Sequence, residues 1–299
     1  MNYKKYIKSK QLRFKILFCL KFIPDSWMIK IQFLIKMSRF LNLRNPKRFT
    51  EKLQWYKLFY QDPLLTQCAD KLEVRKFVES KGLGAILNEL YGSYNSLNEV
   101  CFDTLPDKFV LKTTNGSGTN IFCKDKSDFN IKKAKKIVKS WLAHDMYLLG
   151  REWCYKNIKP KIIVEKFLED KNNVFKGVND YKFLCFNGKA KYIVVDVDRQ
   201  VSHKRNFYDL SWNYIHVSSD YPNFGDCIDR PTGLNEMIKI ANILAADFPF
   251  VRVDLYWINS KIIFGELTFY PWTGYVSFNP DNFDFELGEK FDIPSKILA

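Results

Sequence analysis

Near its C-terminal end the chain carries two apolar runs, Val251-Arg252-Val253-Asp254-Leu255-Tyr256 and Phe264-Gly265-Glu266-Leu267-Thr268, each holding one carboxylate. Both lie in strand-like segments, Val251–Ile258 and Lys261–Phe269, close enough to form a hairpin. A carboxylate inside such a strand is costly unless it is paired or bound to a cation. Register decides how the two relate. If Asn259–Lys261 makes a three-residue loop, Ile258 pairs with Ile262 and Asp254 stands directly opposite Glu266. A two-residue turn puts them on opposite faces, unless a bulge restores the register. Arg252 shares the face of Asp254. Hard oxygens converging on one point suit Mg²⁺ beside substrate phosphates. The plainer use of the same residues is an Arg–carboxylate network that holds the hairpin together.

A second constellation lies upstream. Phe109-Val110-Leu111-Lys112 reads as a short strand that runs into Thr113-Thr114-Asn115-Gly116-Ser117-Gly118-Thr119-Asn120. A strand-end lysine before a loop of small residues lets backbone N–H groups close over phosphates, with the lysine as a point charge. The order of residues is not that of a P-loop. Further on, Glu165-Lys166-Phe167-Leu168 ends the strand Lys161–Phe167. A carboxylate there can accept from an exocyclic amine while the following backbone meets a ring nitrogen. Lys182, Arg205 and Asn206 are additional candidates for contacts to phosphate or carboxylate. Tyr192-Ile193-Val194-Val195-Asp196-Val197-Asp198 is an apolar strand ending in D-x-D, the arrangement by which many glycosyltransferases hold a metal-bound nucleotide sugar.

Composition narrows the class. At 46% hydrophobic and 16% aromatic, the 299 residues can bury a substantial core. The net charge of +14 is concentrated: residues 1–50 hold thirteen lysines and arginines against Asp25 alone. Within that basic arm, Asp25-Ser26 reads as a cap before a helix with Trp27, Ile31, Leu34 and Ile35 at helical spacing. Such a helix either lies on an anionic membrane surface or packs its stripe on the body. The run Ile16–Leu20 is far short of the roughly 20 residues a membrane span needs. Seven scattered cysteines without a CxxC pair point to free thiols in a reducing cytoplasm. Three histidines disfavour a His-based metal site, and no nucleic-acid module is recognisable.

Helical patterns at 70–82, Ile131–Leu142 and Leu234–Ala246 alternate with strands at Tyr181–Phe186, Lys189–Asp196 and the closing hairpin. That mixture predicts an α+β fold. The chain divides into a basic helical region (1–60), a helical or mixed linker (61–110), a small subdomain with the phosphate loop (111–170) and a large subdomain with the metal site (171–299).

The order Lys71, Lys112 with its loop, Glu165-Lys166-Phe167-Leu168, Lys182, Asp254, Glu266 resembles the ATP-grasp superfamily, specifically its TupA-like branch of polysaccharide biosynthesis. The likeness spans residues 45–280. It implies two α+β subdomains whose antiparallel sheets clasp ATP, behind a short helical N-terminal region. It further implies Lys71, Lys112 and Gly116–Thr119 on the phosphates, and Glu165, Lys166, Phe167 and Leu168 around adenine. Asp254 and Glu266 would hold two Mg²⁺ ions, with Arg252, Lys182, Arg205 and Asn206 near the reacting groups. Where the superfamily often has Asn two positions after the second carboxylate, this chain has Thr268. The implied activity is ATP-dependent amide formation between a sugar carboxylate of an anionic glycan or uronic-acid precursor and an amino acid or small amine. A D-x-D glycosyltransferase using Asp196 and Asp198, and a non-catalytic glycan binder, are the rival readings.

Overall fold

A computed structural model describes residues 9–170, 173–199 and 201–298. The first eight residues of the basic arm therefore lie outside the described part. Five helices come first: α1 (Lys10–Cys19), α2 (Asp25–Met37), α3 (Phe49–Phe59), α4 (Pro63–Ala69) and α5 (Val74–Ser80). Their starts are chemically marked. Glu51 turns back to accept from the backbone of Lys47 and Arg48 at 3.0 and 3.2 Å, and Asp62 caps α4 through Leu64 N–H at 2.8 Å. Asp70 accepts from Leu72 and Glu73 N–H (2.8 and 3.1 Å), which shapes a turn at 71–73 ahead of α5.

The α+β expectation holds, with two antiparallel sheets. The smaller one contains β1 (Leu90–Tyr94), β2 (Phe109–Thr113), β3 (Asn120–Cys123) and β4 (Ile162–Lys166), in the order β1-β4-β2-β3. Helix α6 (Ile131–Leu142) covers it, burying Ala134 and Val138 against Phe109, Leu111, Ile162 and Val164. After the short helix α7 (Tyr147–Gly150), the larger sheet begins. Its strands are β5 (Asp180–Phe186), β6 (Lys189–Val197), β7 (Lys204–Asp209), β8 (Tyr214–Ile215), β9 (Phe250–Ile258) and β10 (Lys261–Thr268), ordered β10-β9-β5-β6-β7-β8. Helix α8 (Leu234–Ala245) packs on β5, β6 and β9, and α9 (Asn282–Lys290) packs on α3.

Two cores result, and they do not follow the expected divisions. Residues of α3, α4 and α5, such as Phe49, Leu65 and Phe77, bury themselves with the larger sheet. Strand β1, placed by the sequence division in the linker 61–110, belongs to the smaller sheet through its pairing with β4. Aromatic edges fasten the N-terminal helices down: Phe49 meets Phe250 and Phe186 at 5.0 and 5.8 Å between ring centres.

The closing hairpin takes the second of its two possible registers. Asn259 and Ser260, both at positive φ (49° and 60°), form a two-residue turn. Pairing runs from Lys261–Ile258 to Phe264–Leu255, skips Gly265, and resumes at Glu266–Asp254. A bulge thus restores what the short turn would have undone, and the two carboxylates face each other. Glycine is required at the bulge, because a Cβ on residue 265 would sit 2.8 Å from the carbonyl oxygen of Asp254. We predict that Gly265→Ala lowers the free energy of unfolding by about 1–3 kcal/mol, as an overpacked site does. Urea denaturation read by circular dichroism checks this; an unchanged midpoint would show that the bulge accommodates the methyl group.

Candidate active site

One face of the larger sheet is apolar; the other is apolar at one end, where Phe186 and Phe250 meet Phe49, and charged at the other. On β9, Val251, Val253 and Leu255 are fully buried on the side that α8 covers, while Arg252, Asp254 and Tyr256 alternate with them. Register sets Lys182 of β5 beside Asp254, and Asp180 between Tyr256 and Asp196. Asp196 in turn pairs with Arg205 of β7. The charges therefore fall into a continuous lattice. Lys182 Nζ donates to Asp180 and to Asp254 Oδ2 (2.8 Å), with Asp196 3.9 Å away. Arg199 reaches Asp180 from the loop after β6. Arg205 grips both oxygens of Asp196 at 2.6 and 2.8 Å and also reaches Asp220. Arg252 grips Asp254 with two bonds of 2.7 Å and extends Nη2 to Thr268 Oγ1 at 3.1 Å and Glu266 Oε1 at 3.4 Å.

Asp254 and Glu266, though opposite each other, are in different states. Asp254 is buried, with both oxygens taken by Arg252 and Lys182, whereas the Glu266 side chain keeps 34% exposure and, among the described residues, only the long Arg252 contact. Burial works against the charge of Glu266. Lys71, Arg252, Lys182 and Arg199 overcome it and hold the carboxyl below its ordinary range. Burial pushes the Asp254 carboxyl up, against the opposing pull of Arg252 and Lys182. Behind them, Asp180 Oδ1 is buried without a partner. Glu266 and Asp180 Oδ1 are hard oxygens of the kind Mg²⁺ takes, while both oxygens of Asp254 are already held by Arg252 and Lys182. No cage of three or more His, Cys, Asp or Glu side chains gathers among the described residues, so a cation here would need further oxygens from a phosphate-bearing ligand.

The smaller sheet supplies the other side of the site. Lys112 and Glu165 lie on one face of β2 and β4 and form an ion pair of 2.6 Å, with Arg75 Nη1 3.6 Å from the other carboxylate oxygen. The loop after Lys112 is closed by Thr113 Oγ1 donating to Thr119 Oγ1 at 2.8 Å. Its turns need glycine: Gly116 and Gly118 have φ of 80° and 73°, and Ser117-Gly118 form an exposed tip. Lys71 docks on this loop. Its backbone N–H donates to Thr114 O at 3.1 Å and its Nζ to Gly116 O. Burial holds the Lys71 ammonium below the usual lysine value, Glu266 opposing that shift and Lys112 adding to it. Lys71 is thus bonded to the loop while its charge acts on Glu266. Lys166 ends β4, its N–H donating to Glu89 O at 3.0 Å, and Phe167 and Leu168 begin the connection toward the larger sheet.

Not every candidate arrives here. Asn206 points away from the charged face: it donates to Asp226 O at 2.9 Å and accepts from Phe224 N–H at 2.9 Å, pinning the loop after β8. Alternation along β7 makes this unavoidable once Arg205 faces the lattice. Asp196 and Asp198 do not form a D-x-D pair, because Asp196 is consumed by Arg205. Asp198 leaves the strand at φ 51° to accept from Lys176 N–H at 2.7 Å. Conversely, Asp180, Arg199 and Arg75, absent from the sequence motifs, lie in contact with these candidate residues. Asp180 is detectable as the charge two before Lys182 in an apolar strand. Arg199 and Arg75 carry no sequence signal.

Two antiparallel sheets, one offering a lysine and a glycine loop and the other facing carboxylates, define the ATP-grasp class of proteins. The profile of the TupA-like ATP-grasp family matches residues 51–292, and the chain belongs to that family. No curated protein matches it by sequence. Among solved structures it is similar to the D-alanine–D-alanine ligase of Bacillus anthracis (18% identity, 67% of this chain and 56% of that one, TM-score 0.39). It is also similar to the L-amino acid ligase of Bacillus licheniformis (14% identity, 69% and 44% covered, TM-score 0.44). The chain thus spans about half the length of these ligases.

The lattice makes a pH-dependent contribution to stability. Burial disfavours the charged form of Asp196, but His203 Nε2 at 3.1 Å, the Arg205 hydrogen bonds and the charge of Lys182 hold its carboxyl well below the ordinary range. A folded-state value below the unfolded one, about 3.9, stabilises above that pH and is lost as acid protonates the folded form. We predict that Asp196→Asn costs about 3–5 kcal/mol at neutral pH, the range for breaking a buried pair. It should also flatten the fall of stability below about pH 4. Denaturation series from neutral pH downward test both; an undiminished acid slope would show that Asp196 is not its source.

Proposed function

We propose that this protein is an ATP-dependent carboxylate–amine ligase of bacterial surface-polysaccharide synthesis, acting in the cytoplasm. It would join a sugar carboxylate, a hexuronic acid of an anionic glycan or its precursor, to an amino acid or small amine. The observation that carries the reading is the position of Lys71, bonded to the loop through Thr114 and Gly116 while its charge acts on Glu266. A lysine bonded to the loop whose charge also acts on Glu266 supports reading the two constellations as parts of one site.

In this reading Lys71 and Lys112 bind the phosphates of ATP, and the backbone of Gly116–Thr119 folds over them. Glu165 accepts from the adenine amine through Oε1, the oxygen left with only the 3.6 Å Arg75 contact. Lys166 and the Phe167-Leu168 backbone line the same end. Asp254 and Glu266 would hold Mg²⁺, which when bound supplies charge neutralisation on the phosphates. Asp254 would have to give up a bond to Arg252 to offer an oxygen to the cation, and Arg252 would remain beside the pair as a positive charge for the phosphates. Lys182 and Arg205 stay paired and keep the acidic residues fixed. A substrate carboxylate oxygen attacks the γ-phosphorus, giving an acylphosphate and ADP. The amine then attacks the acyl carbon, expelling phosphate and losing a proton as the amide forms. Catalysis is by positioning and charge, with no covalent enzyme intermediate.

Mg-ADP, and not a UDP-sugar, should raise the melting temperature of the purified protein. Lys112→Ala should weaken that stabilisation while leaving the protein folded. Glu266→Gln should reduce ATP-dependent amide formation by at least about 100-fold, the scale of losing one electrostatic stabiliser. Stabilisation by UDP-sugar alone, or near-normal turnover in Glu266→Gln, would overturn the reading.

A further inference from the structure

Helix α2 is apolar on two opposite sides, and only one of them is used. Met28, Ile29, Phe33 and Met37 are buried against the body. Trp27, Ile31, Leu34 and Ile35, the row anticipated from spacing, face outward at 63%, 43%, 42% and 42% exposure. At about 3.6 residues per turn the two rows lie back to back. Phe22, just before the helix, and Phe40, just after it, are 78% and 84% exposed.

The helix cannot roll to hide this row. Asp25 accepts from Tyr147 and from Arg151 Nη1 at 3.1 Å, Gln32 accepts from Tyr275 at 3.0 Å, and Arg39 just past the helix donates to Asp284 at 2.7 Å. These bonds hold the inner face at both ends and in the middle, so the outer face is fixed toward solvent.

Charge selects the occupant. The first fifty residues carry thirteen bases and one acid, and that acid, Asp25, is already committed to Arg151. Lys15, Lys21 and Lys30 are exposed, Lys30 lying 5.4 Å over the Trp27 ring of the apolar row. A second copy of the chain would bring the same excess of bases face to face. A polyanion without an apolar layer would leave Trp27 and the aliphatic row in water. An anionic bilayer satisfies both demands, with phosphate headgroups for the lysines and an interfacial layer for Trp27, Ile31, Leu34 and Ile35.

We infer that α2 and its flanking turns dock the protein peripherally on an anionic lipid bilayer, apolar row inward. The inference is independent of the ligase reading, since it uses none of the residues of that site.

The test is co-sedimentation of the full chain with phosphatidylcholine vesicles, with and without about a quarter phosphatidylglycerol, at low and high salt. Binding should require the anionic lipid, weaken with salt, and fall by about tenfold or more in Trp27→Ser/Ile31→Ser. Ile243→Ser, an exposed apolar residue on α8, should leave it unchanged. Both variants should keep the melting temperature and the response to Mg-ADP of the parent protein. Absence of binding at low salt, or binding indifferent to lipid charge or to the double substitution, would overturn the inference. So would a self-association, seen by light scattering, that the double substitution abolishes.

Discussion

The ammonium of Lys182, lodged between Asp180 and Asp254 inside a six-stranded sheet, is the interaction around which the rest is arranged. Buried ions are tolerated only when each is paired in good geometry. Here one pairing demands the next: Asp180 draws in Arg199, Asp254 draws in Arg252, and Asp196, alongside, takes Arg205. The four acidic and four basic side chains of this face, Glu266 included, balance in charge. With α8 sealing the other face, the sheet has only one side on which polar chemistry can occur.

That one-sidedness explains why the N-terminal segment is built as it is. The backbone from Asp70 to Val74 must deliver Lys71 to a loop of the smaller sheet while α4 and α5 stay packed on the larger one. Asp70 solves this locally by capping the 71–73 turn, which holds Lys71 at the junction. The lysine is tied by its own backbone as well as by its side chain, so its position does not depend on a flexible four-carbon stem.

Much of the fold was legible because it rests on local pattern. The turn at Asn187-Gly188, the strands beside it and the helix Ile131–Leu142 all declare themselves within a dozen residues. The facing of Asp254 and Glu266 was legible only as a condition, since a single glycine bulge decides it. What stayed hidden depends on distant partners. Strand β7 reads Lys-Arg-Asn-Phe-Tyr-Asp, too polar for a buried strand until Asp196 neutralises Arg205. The inner row of α2 was masked by the outer one, because two apolar rows on one helix blur any single periodicity. Asn206 was drawn into the candidate site only by being next to Arg205, and alternation sends it elsewhere.

The path of the chain between its two cores has a mechanical meaning. It leaves the larger core after Ile86, returns by Trp153, leaves again for Ile162, and comes back at Tyr181. The smaller sheet is thus moored by four separate strands of backbone rather than hung from one linker. Four crossings of the backbone restrict how far the smaller sheet can move relative to the larger core more than a single linker would. Nicking any one of the four moorings would still leave the two halves of the clasp in register.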